Sequence, residues 1–170
     1  MDRRTAYGEG GRHGSDVWVC GRRDDRELTV YVADSDLGVK LSEPIFIEPM
    51  PMKTTHDCAV VCLAMYLGKP YPEVVQAAPA NALKRGMFIT DIIRTAAALG
   101  TVLHNRRRFD LKDDTGLLRV SPLKTGEQPH LVLLLEGLIY DPSAGRLWLD
   151  VDTFLATERY RPTTLLTMEE

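Results

Sequence analysis

The stretch that decides the fold is DCAVVCLAMYLG, residues Asp57 to Gly68. From Cys58 to Leu67 it is apolar on nearly every side, which is typical of a helix buried at the centre of a protein. Gly68 follows at the position where helices commonly end on a left-handed glycine. We therefore expect a central, buried helix that begins at Cys58.

The sequence on both sides of this helix predicts an α+β fold. Shorter helices are expected over residues 72–78 and over residues 91–99, the second with Thr90 as its N-cap. Strands are expected over 101–111, 130–135, 138–141, 146–150 and 162–168, with a helical turn over 152–157 and a loop over 113–128. Helices grouped in the middle and strands toward the end predict segregated layers around an antiparallel sheet.

The first 48 residues differ from the rest and predict an extension. Residues 1–16 are rich in glycine and lack aliphatic clusters, so we expect a flexible arm. The β-rich runs at 17–20 and 28–32, with a further extended piece at 44–47, predict a β-hairpin extension over 17–48. Residues 49–170 then form the main domain.

Composition excludes several classes of protein. With 170 residues, 44% hydrophobic and 26% charged, the chain can bury one core. A net charge of −3 argues against a nucleic-acid binder, and no apolar run reaches the roughly 20 residues of a membrane span. Three cysteines, an odd number, do not form a disulfide framework. No apolar segment follows Met1-Asp2-Arg3-Arg4, so we expect no signal peptide and a cytoplasmic protein.

Cys58 is the first candidate for chemistry. A thiol in the first turn of a helix faces the positive end of the helix dipole and unpaired backbone N–H groups, and both favour the nucleophilic thiolate. The alternative is a core cysteine, because free cysteines are among the most buried residues. Cys62 and Cys20 are expected to be core cysteines of this kind, and Trp148 is expected to pack on one face of the sheet.

His130 and Asp141 form the second candidate. If Glu136-Gly137 is a two-residue turn, residues whose numbers sum to 273 lie opposite each other, and Asp141 is the diagonal neighbour of His130 on one sheet face. Diagonal neighbours lie about 7 Å apart at Cβ, within reach of an imidazole and a carboxylate. A base and its orienting acid would then come from one hairpin. The alternative is a strand-edge histidine beside a turn aspartate.

Together these features resemble the papain-like cysteine peptidases, and within them the C39-like branch of bacteriocin-processing type with its phage and bacterial relatives. The resemblance spans roughly residues 50–168. It is carried by Asp57–Met65 with Gly68, by Tyr71-Pro72-Glu73-Val74, by the block 86–100, by His130-Leu131-Val132-Leu133 and by Tyr140-Asp141-Pro142. It implies a papain-like fold with Cys58 as nucleophile, His130 as general base and acid, and Asp141 as the orienting group.

Two positions depart from the pattern of that family. Ala59 stands where a glycine usually follows the cysteine, which is a mild change. Met52 stands where a glutamine, six residues before the cysteine, donates a hydrogen bond to the oxyanion; a thioether cannot donate. Substitute donors are expected, beside the backbone N–H of Cys58, among Lys53, Thr54, Thr55 and His56.

Other kinds of site are disfavoured. His56, Cys58 and Cys62 have a spacing that could suggest a metal site, but the two cysteines fall one turn apart on a helix expected to be buried, and no second ligand pair follows at zinc-like spacing. The glycines of the arm lack the Lys-Ser/Thr of a phosphate loop. We therefore expect no metal and no cofactor.

Two functions remain open. The first is a thiol hydrolase that cleaves a peptide or other amide bond, with a particular polypeptide as its substrate. The second is a catalytically impaired papain-like protein that binds a protein partner, with residues 1–48 as a docking element; Met52 favours this alternative. Neither function involves nucleic acid or a membrane.

Overall fold

The computed structural model describes residues 16–21, 28–33, 45–47, 50–148 and 150–168. These residues belong to two compact units, Met1–Pro49 and Met50–Glu170. In the first unit, β1 (Asp16–Gly21), β2 (Leu28–Ala33) and β3 (Ile45–Ile47) pair antiparallel in the order β1-β2-β3. Residues 1–15 of the predicted arm and the segments joining these strands lie outside the described residues. The hairpin extension over 17–48 therefore stays a prediction.

The second unit contains five helices and six strands within its described residues, and confirms the predicted α+β class. The helices are α1 (Cys58–Leu67), α2 (Tyr71–Ala77), α3 (Ala82–Arg85), α4 (Ile89–Ala98) and α5 (Val151–Glu158). The strands are β4 (His104–Arg106), β5 (Thr115–Pro122), β6 (His130–Leu135), β7 (Leu138–Asp141), β8 (Arg146–Trp148) and β9 (Tyr160–Thr167). These strands form one antiparallel sheet in the order β4-β9-β5-β6-β7-β8.

Helix α1 is the buried helix that the sequence predicts. Its residues from Ala59 to Met65 are all buried, and it packs against β6 and β5. Gly68 ends it in the left-handed conformation, with φ of 60°, and donates its N–H to the carbonyls of Ala64 and Met65. Because nearly every side of this helix is covered, its sequence carries no polar stripe.

Strand β6 is buried on both faces of the sheet, which explains its unbroken apolar run. Alternate residues of a strand point to opposite faces, and every residue of β6 from Leu131 to Leu135 is buried. On one face, α5 closes a core that contains Phe154 and also Trp148, which packs there as predicted. The buried members of that cluster are Leu118, Val120, Val132, Leu134, Ile139, Trp148, Val151, Phe154 and Leu165.

The hairpin of β6 and β7 has the register that the sequence predicts. Leu135 pairs with Leu138, Leu134 with Ile139 and Leu133 with Tyr140. Glu136 and Gly137 form the turn with φ of 46° and 86°, the positive values that a two-residue type I′ turn requires. This confirmed register fixes which side chains of the two strands share a face.

The predicted loop over residues 113–128 is wrong in its middle part, where β5 forms. This strand pairs with both β6 and β9 and buries Leu117, Leu118 and Val120 completely. Its sequence, TGLLRVSP, begins near a glycine and carries an arginine, so neither alternation nor a long apolar run marks it. Both of its partners lie elsewhere in the chain, and pairing with them overrides the weak local preference.

Three smaller expectations also need correction. Helix α4 begins at Ile89, so Thr90 lies inside it; Phe88 precedes the helix, and its N–H donates to the Asp91 carboxylate at 3.1 Å. The strand expected over 101–111 is reduced to β4, and the short helix α3 has no counterpart among the predicted elements.

No helix within the described residues is both long and apolar enough to cross a membrane.

Candidate active site

Cys58 is the first residue of α1 and is half-buried. Residues 53–56 before it form a bend and a turn, and Pro51 disfavours an earlier start of the helix. The first N–H groups of an α-helix have no partner within the helix. The thiol therefore lies beside backbone donors, as the sequence predicts.

Asp57 holds the turn that precedes Cys58. Its side chain is completely buried and accepts hydrogen bonds from the backbone N–H groups of Lys53 at 3.1 Å and Thr54 at 3.2 Å. The Tyr71 hydroxyl, from α2, donates to the same carboxylate at 2.7 Å. Lys53 Nζ lies over the Tyr71 ring, 4.1 Å from its centroid. One carboxylate thus ties the turn before Cys58 to the neighbouring helix.

His130 and Asp141 contact each other directly. His130 Nε2 lies 2.8 Å from Asp141 Oδ1, and the two side chains are 12% and 5% exposed. Ser143, in the turn after β7, donates its N–H at 2.9 Å and its hydroxyl at 2.7 Å to the same oxygen. His130 begins β6 and Asp141 ends β7, so the hairpin register brings them together as predicted.

The third member of this group is Cys58, which lines the same cleft as His130 and interacts with its ring strongly enough to raise the pKa of His130. Because Asp141 holds Nε2, Nδ1 is the ring nitrogen left for the Cys58 sulfur. Burial opposes protonation of His130, but the hydrogen bonds to Asp141 and Cys58 and the nearby negative charges raise its pKa to about 9. Burial also disfavours ionised Asp141, yet the hydrogen bonds from His130 and Ser143 keep its pKa below its usual range.

Tyr160 adds a contact that the sequence does not predict. Its ring stacks on the His130 ring at a centroid distance of 6.1 Å and an interplanar angle of 28°. Phe154 contacts Tyr160 in turn, with the two ring centroids 5.8 Å apart. Tyr160 begins β9, thirty residues after His130, so only the strand order brings the rings together.

Cys58 and His130 line one cleft of about 900 Å³. Ala59 lies beside Cys58, and Met87, Ile89 and Ile92 form an apolar wall. Phe88 also lines the cleft and is 66% exposed. A mostly apolar cleft with a few convergent polar groups is typical of a ligand-binding site.

The expected oxyanion donors are divided between the cleft and the turn. Thr55 and His56 line the cleft. Among the described residues, Thr54 does not line the cleft. Its N–H donates to Asp57, and its hydroxyl accepts a hydrogen bond from the His56 N–H at 3.4 Å. Met52 lines the cleft too, and its own N–H donates to the Pro142 carbonyl at 2.9 Å. The Met52 thioether cannot donate a hydrogen bond.

Cys62 is a core cysteine, as predicted. It is completely buried, and its thiol donates to the Leu131 carbonyl at 3.3 Å. Burial raises the pKa of this thiol well above its usual value, so it stays protonated. In the part of the chain that the structure describes, no group of three or more His, Cys, Asp or Glu side chains has an arrangement that could hold a metal ion.

Four contributions to the site are missing from the sequence predictions: Tyr160, Ser143 as a donor to Asp141, Arg119, and the segment 85–89 between α3 and α4. Only Ser143 has a local signal, because a serine two residues after an aspartate commonly donates to it in a turn. The others depend on strand order and on how α4 lies along the cleft. No local pattern of residues encodes those features.

The assembled group has the parts of a nucleophilic catalyst. A thiol lies against an imidazole, a carboxylate fixes that imidazole, and backbone donors lie near the thiol, which is the arrangement that activates a nucleophile and stabilises the charge it creates.

Comparisons of the chain with family models, with curated proteins and with solved structures find no match.

Proposed function

We propose that this chain is a thiol hydrolase that cleaves a peptide or other amide bond through an acyl-enzyme on Cys58. The observation that carries the proposal is the His130 ring, which is hydrogen-bonded to Asp141 at 2.8 Å and lines the same cleft as Cys58, whose interaction with the ring raises the pKa of His130. Core cysteines such as Cys62 lack a partner of this kind and donate to a carbonyl instead. We also propose membership of the papain-like cysteine peptidases, in the C39-like branch.

The architecture of residues 50–170 supports this family assignment. A buried helix begins at the candidate nucleophile and packs on an antiparallel sheet. Adjacent strands of that sheet supply the histidine at the start of β6 and the aspartate at the end of β7. This is the arrangement that the resemblance of the sequence implies.

In the proposed reaction, the Cys58 thiolate attacks the carbonyl carbon of the substrate. The protonated His130 gives its proton to the leaving amine as the C–N bond breaks, leaving an acyl group on Cys58. His130 then takes a proton from water, whose oxygen attacks the acyl carbon, and the carboxylic acid leaves as the thiolate is regenerated. Asp141 keeps the ring oriented throughout.

The negative charge on the carbonyl oxygen needs donors near Cys58. The backbone N–H of Cys58 is one such donor, because it belongs to the unpaired first turn of α1. The side chains of Thr55 and His56, which line the cleft, are the candidates for a second. A well-placed donor is worth roughly 10²–10³ in rate.

An acyl-enzyme trap tests the hydrolase. With p-nitrophenyl acetate as an activated acyl donor, we expect a burst of p-nitrophenolate and an acetyl group mapped by mass spectrometry to Cys58. Cys58→Ala abolishes the burst, whereas the matched control Cys62→Ala retains it. Acetylation that is no faster than for a free thiol in solution would contradict the hydrolase.

Met52 favours a second candidate, a papain-like protein that binds a polypeptide in the cleft without cleaving it. Its thioether lines the cleft where the family pattern has a donor. If the chain is a hydrolase, Met52→Gln adds that donor and accelerates acylation at least about tenfold. Met87→Gln, which also lines the cleft, is the control. A chain whose Cys58 stays unreactive in both variants would support the binding protein.

A further inference from the structure

Arg119 lies close to the candidate site but outside its catalytic group. It is on β5 directly across from Leu131, the neighbour of His130, and it lines the same cleft as Cys58. Its side chain is half-buried. Arginine side chains are positively charged in proteins.

Apart from Cys58 and His130, the charged side chains that line the cleft are positive. Two arginines, Arg85 and Arg119, line it, and the described lining residues include no aspartate or glutamate. Arg85 is engaged elsewhere: its guanidinium lies 3.7 Å from the Asp91 carboxylate and over the Phe88 ring, 5.2 Å from the centroid. Of these two arginines, Arg119 is therefore the one available to bind a ligand.

Among the described residues, no carboxylate lies within ion-pair distance of Arg119. Its Nη1 donates to the Thr163 hydroxyl at 3.4 Å, and that hydroxyl donates to the Arg119 carbonyl at 2.9 Å. A neutral hydroxyl positions the guanidinium without compensating its charge. The planar fork of an arginine matches a carboxylate and binds it through two parallel hydrogen bonds.

We propose that Arg119 is a carboxylate-binding residue of the cleft and that the substrate is a polypeptide with a carboxylate close to the bond that reacts. The inference rests on the proposed function, since it assigns the substrate class of that site. The carboxylate belongs either to an acidic side chain or to the end of the substrate chain. The apolar wall formed by Met87 and Ile89 then holds a neighbouring apolar side chain.

Paired alkylating reagents test the proposal without a known substrate. In each, the Cys58 thiolate forms a C–S bond to the reagent and iodide leaves. N-iodoacetylglycine and its neutral amide, N-iodoacetylglycinamide, mimic a chain end. The N-iodoacetyl derivatives of aspartic acid α-amide and asparagine amide mimic an acidic side chain and its neutral form.

We expect the anionic reagent of at least one pair to label Cys58 about tenfold faster than its neutral partner, with labelling at each cysteine separated by peptide mapping. Arg119→Gln abolishes this preference, so that the two reagents of each pair label Cys58 at equal rates, and thermal unfolding checks that the fold of the variant is intact. Arg94→Gln removes the same charge from an exposed position on α4 and keeps the preference. The pair that responds identifies the source of the carboxylate.

Equal rates for both pairs in the wild-type chain would overturn the inference, as would a preference that survives Arg119→Gln. If Arg119→Gln does not fold, Arg119→Lys replaces it: the point charge remains but the fork is lost, so the preference falls only in part. Slow labelling of Cys58 by all four reagents is a different result, because it contradicts the proposed hydrolase itself.

Discussion

At Asp57, three donors from two segments of the chain meet one buried carboxylate, and the residue after it is the candidate nucleophile. The side chain does not touch the cleft, so its effect on Cys58 passes through the turn. A buried donor that loses its acceptor costs about 1–3 kcal/mol. The geometry before Cys58 therefore depends on a residue with no part in the chemistry.

Replacing Asp57 with alanine leaves the N–H groups of Lys53 and Thr54 and the Tyr71 hydroxyl without their acceptor. We expect the free energy of unfolding in urea to fall by about 2–4 kcal/mol. Tyr71→Phe removes one donor and leaves the carboxylate its two backbone partners, so it lowers the free energy by about 1 kcal/mol. Equal effects of the two variants would show that the backbone donors contribute nothing.

Part of the site follows from sequence because its residues are close together along the chain. Cys58 is identified by its place before an apolar helix, and the contact between His130 and Asp141 follows from a two-residue turn. Tyr160 and Arg119 reach the same cleft from strands that join the sheet through distant pairing. Their positions depend on the strand order, which the sequence does not specify locally.

Among the elements, α1 and β5 show why one was predicted and the other was not. The ten residues of α1 are apolar, and a glycine ends them. Strand β5 buries fewer of its residues and has only a short apolar segment, interrupted by Arg119 and preceded by Gly116. Its stability comes from two neighbouring strands, and a strand of this kind is visible only once those neighbours are known.

Substitution of Gly116 tests how tightly β5 is packed. A Cβ at this position would collide with the Leu166 carbonyl of β9, which cannot move without disturbing the ladder. We expect Gly116→Ala to lower the free energy of unfolding by about 1–3 kcal/mol. Ser121→Ala, a control on the same strand, should change it by less than about 0.5 kcal/mol. A stabilising Gly116→Ala, through lower backbone entropy in the unfolded state, would contradict this packing.

At the scale of the whole molecule, the residues that form the candidate site and its core all belong to the unit Met50–Glu170. We therefore predict that a fragment of residues 50–170 folds cooperatively and keeps the labelling behaviour of Cys58. Thermal unfolding and peptide mapping measure both properties. A fragment that is unfolded under the same buffer conditions would show that residues 1–49 are needed for this core.

The pair of His130 and Asp141 also makes stability depend on pH. The pKa of His130 is raised from the ordinary value of 6.5 to about 9. Its stabilising contribution is therefore complete below pH 6.5 and is lost as the pH rises through about 9. We expect the difference in unfolding free energy between wild type and His130→Ala to shrink by about 2–3 kcal/mol from pH 6 to pH 10. A constant difference would contradict a charged pair.

The most direct measurement is the rate at which iodoacetamide labels Cys58 as a function of pH, in the wild-type chain and in His130→Ala. An imidazolium beside the sulfur favours thiolate, and His130 with a pKa of about 9 supplies one at neutral pH. We predict rapid labelling well below about pH 8.5, where an ordinary thiol is mostly protonated, and its loss in His130→Ala. Slow labelling in both proteins, rising only above about pH 8.5, would contradict a catalytic Cys58.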